Sequence, residues 1–174
     1  MALSRKPKVI MLLAGLLIFL LFLLLGIRAP HSPSQGKSAV AMFPTQAVTT
    51  LAATKQITPQ TLFQSDYQLV NVWASWCGVC RVEHQFLNQL AAKDIPLIGL
   101  NYRDSQTQAQ RYLDSLGDPY QTVIYDPNGN LAIDLGVIGT PETYLVDRHG
   151  AILYKHTGVL DQQVWQIAFA DYFD

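Results

Sequence analysis

Two thiols lie three residues apart in Trp76-Cys77-Gly78-Val79-Cys80, and they are the only cysteines in the chain. A purely structural disulfide across two residues closes a very small loop and stabilises little. A tetrahedral zinc site needs four ligands, and His84 supplies only a third. Covalent haem attachment needs a histidine directly after the second cysteine, where Arg81 stands. A peroxidatic cysteine with Thr three and Pro seven residues before it is not matched either, since Ala74 and Val70 occupy those places. Thiol–disulfide exchange fits the pair better. A thiolate at Cys77, favoured by a following helix N-terminus, attacks a disulfide, and Cys80 one turn on resolves the mixed disulfide. Gly78 and Val79 set the geometry between the two sulfurs. A soft metal such as Cu(I) held by Cys77, Cys80 and His84 is the remaining alternative.

This chemistry requires Cys77 at a strand-to-helix junction. Residues 69–73 (Leu-Val-Asn-Val-Trp) predict a buried strand. Cys77 to Lys93 predicts a helix, with Val79, Val82, Phe86, Leu87, Leu90 and Ala91 as its apolar face. Further along, 96–101 and 121–125 predict strands, and 107–116 a helix ended by Gly117. Residues 130–135 predict a short helix. Thr143–Val146 and Ala151–Lys155 predict a hairpin around Asp147-Arg148-His149-Gly150. Asp161 is placed to cap a last helix reaching about Tyr172, whose Trp165, Phe169, Tyr172 and Phe173 read as core. Strand–helix alternation followed by a hairpin and a helix implies an α/β fold, a mixed central sheet with helices on both faces.

The amino terminus has a different composition. Val9 to Ile27 comprises 19 residues, 17 of them hydrophobic and none charged. As a helix this run spans close to the ~30 Å hydrocarbon core of a bilayer. Arg5, Lys6 and Lys8 precede it and favour a cytoplasmic start. The run exceeds a normal signal-peptide core, and a small-x-small site, Ala39-Val40-Ala41, lies over ten residues further on. The expected organisation is therefore a cytoplasmic stub at 1–8, a transmembrane anchor at 9–27, a Pro/Ser/Gly-rich linker at 28–43 and an exported domain at 44–174. Residues 1–45 carry five Lys/Arg and no acids, while 46–174 carry seven Lys/Arg against thirteen Asp/Glu, a balance of −6. An acidic body argues against electrostatic binding of nucleic acid.

Val72-Trp73-Ala74-Ser75-Trp76-Cys77-Gly78-Val79-Cys80 resembles the active-site segment of thioredoxin-fold proteins, and Gly136-Val137-Ile138-Gly139-Thr140-Pro141-Glu142-Thr143-Tyr144-Leu145 resembles their cis-proline loop. A closer resemblance is to the CcmG/DsbE family of cytochrome c biogenesis proteins. It rests on Asn71-Val72-Trp73-Ala74, Cys80-Arg81-Val82-Glu83-His84, Asn88-Gln89-Leu90, Gly99-Leu100-Asn101-Tyr102 and Gly139-Thr140-Pro141-Glu142-Thr143. It runs from about residue 66 to the C-terminus. The family's Gly-Lys-Pro-x-Pro-x-Phe start is matched only by Gly36-Lys37-Ser38, which leaves the register of 44–62 unset.

The resemblance implies a thioredoxin fold with a helix–strand insert at 105–125. It implies a periplasmic, inner-membrane-anchored reductant that keeps the haem-binding cysteines of apocytochrome c, or the thiols of a maturation partner, reduced. Electrons would come from a membrane thiol–disulfide transporter of the DsbD or CcdA kind, and no bound cofactor or metal is required. Pro141 would be the cis-proline and, with the backbone of Thr140, would shape the substrate groove. Trp76 would pack beside the reactive sulfur and meet the partner together with Gly78 and Val79. Thioredoxins place a buried Asp beneath the cysteines, and here Asn71 stands at that position. Glu83, helped by Glu142, would then handle the proton of Cys80, with Glu142 tuning the thiol pKa values. Trp73 reads as core with an indole N–H that needs a partner, and Tyr144 as core or groove wall. His31, His149 and His156 read as loop or surface. Alternatives are a general disulfide oxidant or isomerase, since the motif does not fix the reduction potential, and a non-catalytic apocytochrome-binding chaperone.

Overall fold

The computed structural model describes residues 5–27, 41–53 and 56–173. The chain forms two compact units. The first holds one α-helix, α1 (Arg5–Ile27). Its side chains are described from Ile10 to Phe22, and every large apolar one among them is more than half exposed. Among the described residues no helix is long and apolar enough to cross a membrane.

The second unit is built on a seven-stranded mixed sheet. Its strands are β1 (Ala41–Met42), β2 (Thr49–Thr50), β3 (Tyr67–Trp73), β4 (Leu97–Tyr102), β5 (Thr122–Asp126), β6 (Glu142–Asp147) and β7 (Ala151–Thr157), in the order β1-β7-β6-β3-β4-β5-β2. The central strands β3, β4 and β5 run parallel, and β6 and β7 add to β3 antiparallel. The helices are α2 (Cys80–Ala91), α3 (Gln106–Leu116), α4 (Asn130–Asp134) and α5 (Gln162–Ala168). Strand β3 is buried from Gln68 to Trp73 because the sheet is covered on both faces.

Alternation along the strands divides the core in two. Leu69, Trp73, Leu97 and Leu145 pack beneath α2, α3 and α5. Val70, Val72, Ile98, Leu100, Tyr144 and Val146 pack on the other face against α4, Phe43 and Phe63. The helix and strand expected over 105–125 are α3 and β5. Ser105 caps α3 by accepting from Gln108 N at 3.2 Å, and Asp161 caps α5 by accepting from Val164 N at 2.9 Å. Gly117 closes α3 with φ 91°, a conformation that favours glycine.

Three expectations need correction, and one open register is filled. The linker was expected to reach residue 43, but β1 pairs with β7 and Phe43 is fully buried, so the domain begins no later than Ala41; residues 28–40, with His31, lie outside the described residues. The segment 44–62, whose register the sequence leaves unset, supplies β2, an isolated antiparallel bridge between Val48 and Ile57, and a 3₁₀ turn (Pro59–Leu62). The last helix stops at Ala168 and continues as a 3₁₀ turn (Ala170–Tyr172), leaving Tyr172 40% exposed rather than core. Helix α2 starts at Cys80, and its buried face is Cys80, Glu83, His84, Leu87 and Leu90. Val79 and Val82, expected inside, are exposed. The face is turned because two polar side chains find buried partners, which periodicity of apolar residues does not reveal.

Candidate active site

The C-terminal ends of β3 and β4 and the start of β6 meet at one end of the sheet, since Val72 pairs with Glu142 and Trp73 with Asn101. Cys77 follows β3 there, and Pro141 precedes β6 across a cis Thr140–Pro141 bond. Cys77 and Cys80 form a disulfide with S–S 2.06 Å. Cys77 lies just before α2, and its Sγ accepts from Cys80 N at 3.0 Å. The first helical N–H therefore points at the sulfur expected to become the nucleophilic thiolate.

In the disulfide form Cys77 is 5% accessible and Cys80 2%. The surface beside them belongs to Trp76, Gly78 and Val79. Thr140 is half-buried and Pro141 buried.

Trp76 is held in place from the corner between β4 and α3. Its Nε1 donates to Arg103 O at 2.9 Å. The preceding Ser75 donates N–H to Asp104 Oδ2 (2.6 Å) and its hydroxyl to Oδ1 (2.7 Å). Asp104 also accepts from Asn101 Nδ2 (3.0 Å) and Ser105 N (2.8 Å). One buried carboxylate thus fixes the turn into the CxxC segment and the entry into α3. Asp104 was not singled out from sequence; a single Asp after a strand looks like any loop acid.

Glu83 is 1% exposed. A solvated helix position is thereby ruled out. Its Oε1 accepts from Asn71 Nδ2 at 2.8 Å and its Oε2 from Leu160 N at 2.7 Å. Burial pushes its pKa up from 4.5 to about 7, against the two hydrogen bonds to Leu160 and Asn71, which favour the anion. Asn71 is the junction beneath it. Its Nδ2 also donates to Thr143 Oγ1 (3.1 Å), and its Oδ1 accepts from Tyr120 OH (2.8 Å). Burial, with Glu83 next, holds the Tyr120 hydroxyl well above its usual range, so it stays a donor. Tyr120 stacks on Trp73 at a centroid distance of 5.7 Å. The Trp73 indole N–H, expected to need a partner, has none among the described residues. His84 donates Nε2 to Gly117 O at 2.8 Å, which ties α2 to the end of α3. Burial lowers its pKa. Among the described residues no group of three or more His, Cys, Asp or Glu is placed to hold a metal ion.

Glu142 does not join Glu83. Thr143 faces Asn71 and Glu83, so its neighbour Glu142 points through the opposite face of the sheet. There it is fully buried, accepts from Ile138 N (3.0 Å) and Tyr144 OH (2.7 Å), and pairs with Lys155 Nζ at 3.0 Å. It fixes the 138–142 loop that carries Pro141. Tyr144 is core, and Lys155 Nζ lies over its ring at 5.3 Å from the centroid. The exposed His149 agrees with a loop reading, whereas His156 is half-buried in β7 and meets Val159 O at 3.1 Å.

Known proteins place this arrangement. The Redoxin family model matches residues 38–172. The thiol:disulfide interchange protein DsbE of Yersinia pestis is 53% identical over 98 residues, 56% of this chain and 52% of that protein. The protein of the same name from Vibrio cholerae is 43% identical over 124 residues, 71% of this chain and 67% of that one. The matched stretches thus span about half to two thirds of these relatives' own lengths. A crystal structure of a DsbE candidate from Chlorobium tepidum superposes with a TM-score of 0.63 at 26% identity, covering 76% of this chain and 92% of that one. The segment around Cys77 and Cys80 lies inside the Redoxin match, on a thioredoxin-like α/β domain. The chain belongs to the Redoxin family and, within it, to the DsbE-type thiol:disulfide interchange proteins.

Proposed function

We propose that the chain is a thiol:disulfide oxidoreductase acting as a reductant in cytochrome c maturation, its domain carried in the periplasm by a helix at 9–27 in the inner membrane. The observation that carries the reading is the Cys77–Cys80 pair with a buried, hydrogen-bonded Glu83 one turn beyond, in a chain of DsbE type. In the reduced form the Cys77 thiolate attacks a disulfide of apocytochrome c or of a maturation partner. One partner sulfur leaves as thiolate, and a mixed disulfide forms. Cys80 then gives its proton to Glu83 and attacks the Cys77 sulfur, expelling the second partner thiolate. The partner gains two electrons, and this chain ends as the disulfide. A membrane thiol–disulfide donor of the DsbD or CcdA kind returns the electrons.

Asn71 and the Leu160 N–H hold the Glu83 carboxyl, and a pKa of about 7 lets it take and release a proton near neutral pH. The groove beside the cis Thr140–Pro141 bond offers the Thr140 backbone to an extended partner segment. The basic residues Arg5, Lys6 and Lys8 before the apolar run support the orientation. The test is a redox titration of the Cys77–Cys80 pair together with reduction of a disulfide-bonded CxxCH peptide. A potential clearly below that of strong periplasmic oxidants, with reduction of the peptide, is the expected result. A strongly oxidising potential would make the chain a disulfide donor instead. Membrane fractionation and protease accessibility of the full chain test the anchor.

A further inference from the structure

Beside Trp76 lies an open cleft of about 410 Å³ between α2 and α3, lined by Ser75, Trp76, Arg81, Arg111 and Tyr112. Its charge is opposite to that of the domain around it. The stretch 46–174 has only seven Lys/Arg against thirteen acids. Two of those seven, Arg81 and Arg111, line this one cleft. Neither Arg81 nor Arg111 makes an ion pair among the described residues. Asp104, beside Trp76, is held by neutral donors of Ser75, Asn101 and Ser105 and pairs with neither arginine. Arg81 is laid over the Tyr112 ring, 4.8 Å from its centroid, which limits its freedom before any ligand arrives. The cleft therefore sets two guanidinium groups, one of them held over Tyr112, beside Trp76, the residue before the reactive cysteine, and guanidinium forks suit carboxylates.

We infer that this cleft takes an acidic side chain of the partner polypeptide, an Asp or Glu flanking the cysteine that Cys77 attacks. The inference rests on the exchange reaction proposed above and adds a selectivity to it. Long-range attraction by an acidic domain would favour a basic partner. A preference for acidic flanks therefore has to come from the local cleft.

The test uses three peptides with the same intramolecular disulfide, flanked by two Glu, two Gln or two Lys. Their rates of reduction by the reduced full-length protein in detergent are each divided by the rate with hydroxyethyl disulfide. At low salt the Glu peptide is expected to react roughly threefold to tenfold faster than the Gln peptide, with the Lys peptide slowest, and 0.5 M NaCl should compress the spread. In Arg81→Gln/Arg111→Gln the Glu preference should vanish. Equal rates for the three peptides, a Lys preference, or a Glu preference that survives the double substitution would overturn the inference while leaving the exchange activity standing. Failure to reduce any of the peptides would overturn the exchange reading itself, and this inference with it.

Discussion

Asn71 donates its amide to Glu83 Oε1 across 2.8 Å, at the position where thioredoxins carry the acid itself. The buried carboxylate stands on helix α2, and strand β3 supplies a neutral donor that aims it. Removing the carboxylate should therefore show in pH dependence. The Glu83 pKa is 4.5 when unfolded and about 7 when folded, so between these values the native state holds a proton that the unfolded state lacks. Its contribution is complete below about pH 4.5 and is lost as the pH rises through about 7, a decline of up to about 3 kcal/mol. Denaturant unfolding at several pH values should show this slope flattened in Glu83→Gln. An unchanged slope would remove Glu83 as its source. The pH profile of the resolving step should likewise lose its inflection near 7.

Tyr120→Phe takes away the donor that fixes Asn71 Oδ1 and leaves a buried acceptor unpaired. A loss of about 1–3 kcal/mol is expected from thermal unfolding. The Asn71 amide would be less well held, so the apparent pKa governing the resolving step should shift as well. A stability loss with an unmoved profile would make Tyr120 structural only.

Asp104→Asn can replace only part of the four-donor arrangement, because an amide nitrogen cannot accept. Ser75 and Trp76 should loosen. Trp76 fluorescence quenching by acrylamide should rise, and reduction of peptide disulfides should slow more than reduction of hydroxyethyl disulfide. Equal slowing of both would locate the effect in the cysteines rather than the platform.

Gly99→Ala places a Cβ 2.9 Å from Trp73 Nε1 and 3.0 Å from the Tyr120 ring. Neither ring can retreat easily, since the two are stacked in the core. Overpacking of this kind costs about 1–3 kcal/mol. The expected readout is a lowered midpoint in urea with an unchanged dependence on denaturant.

Lys155→Met leaves the fully buried Glu142 carboxylate without its cation. Leaving the buried carboxylate without this partly exposed partner costs about 1–3 kcal/mol. The double substitution Lys155→Met/Glu142→Gln should recover part of that, measured as a coupling energy in a double-mutant cycle. Strict additivity would mean the pair contributes nothing specific.

The elements on either side of the cysteines were legible because each carries a local signal. Residues 69–73 are β-branched and aromatic, Gly117 ends α3, and Asp161 caps α5. Both cysteines, Pro141 and Glu83 were readable from spacing and resemblance. The partners of Glu83 were not. Leu160 contributes a backbone N–H from 77 residues away, and Tyr120 reaches Asn71 across 49, contacts that no local pattern encodes. The expected cooperation of Glu83 with Glu142 fails on a parity that only the strand register reveals: Thr143 faces one side, so Glu142 must face the other. The rotated face of α2 was missed for a related reason. Helical periodicity locates apolar side chains, whereas this face buries Glu83 and His84 through hydrogen bonds.

The hold of Asp104 on Ser75 has a consequence for how such a molecule can diverge. The groups proposed to handle the proton lie inside, on Asn71, Glu83 and Tyr120, while the surface proposed to meet a client, around Trp76, hangs from the corner between β4 and α3. The two share no hydrogen bond among these residues. Client choice can therefore be rewritten at that corner while the electron-transferring chemistry stays as it is.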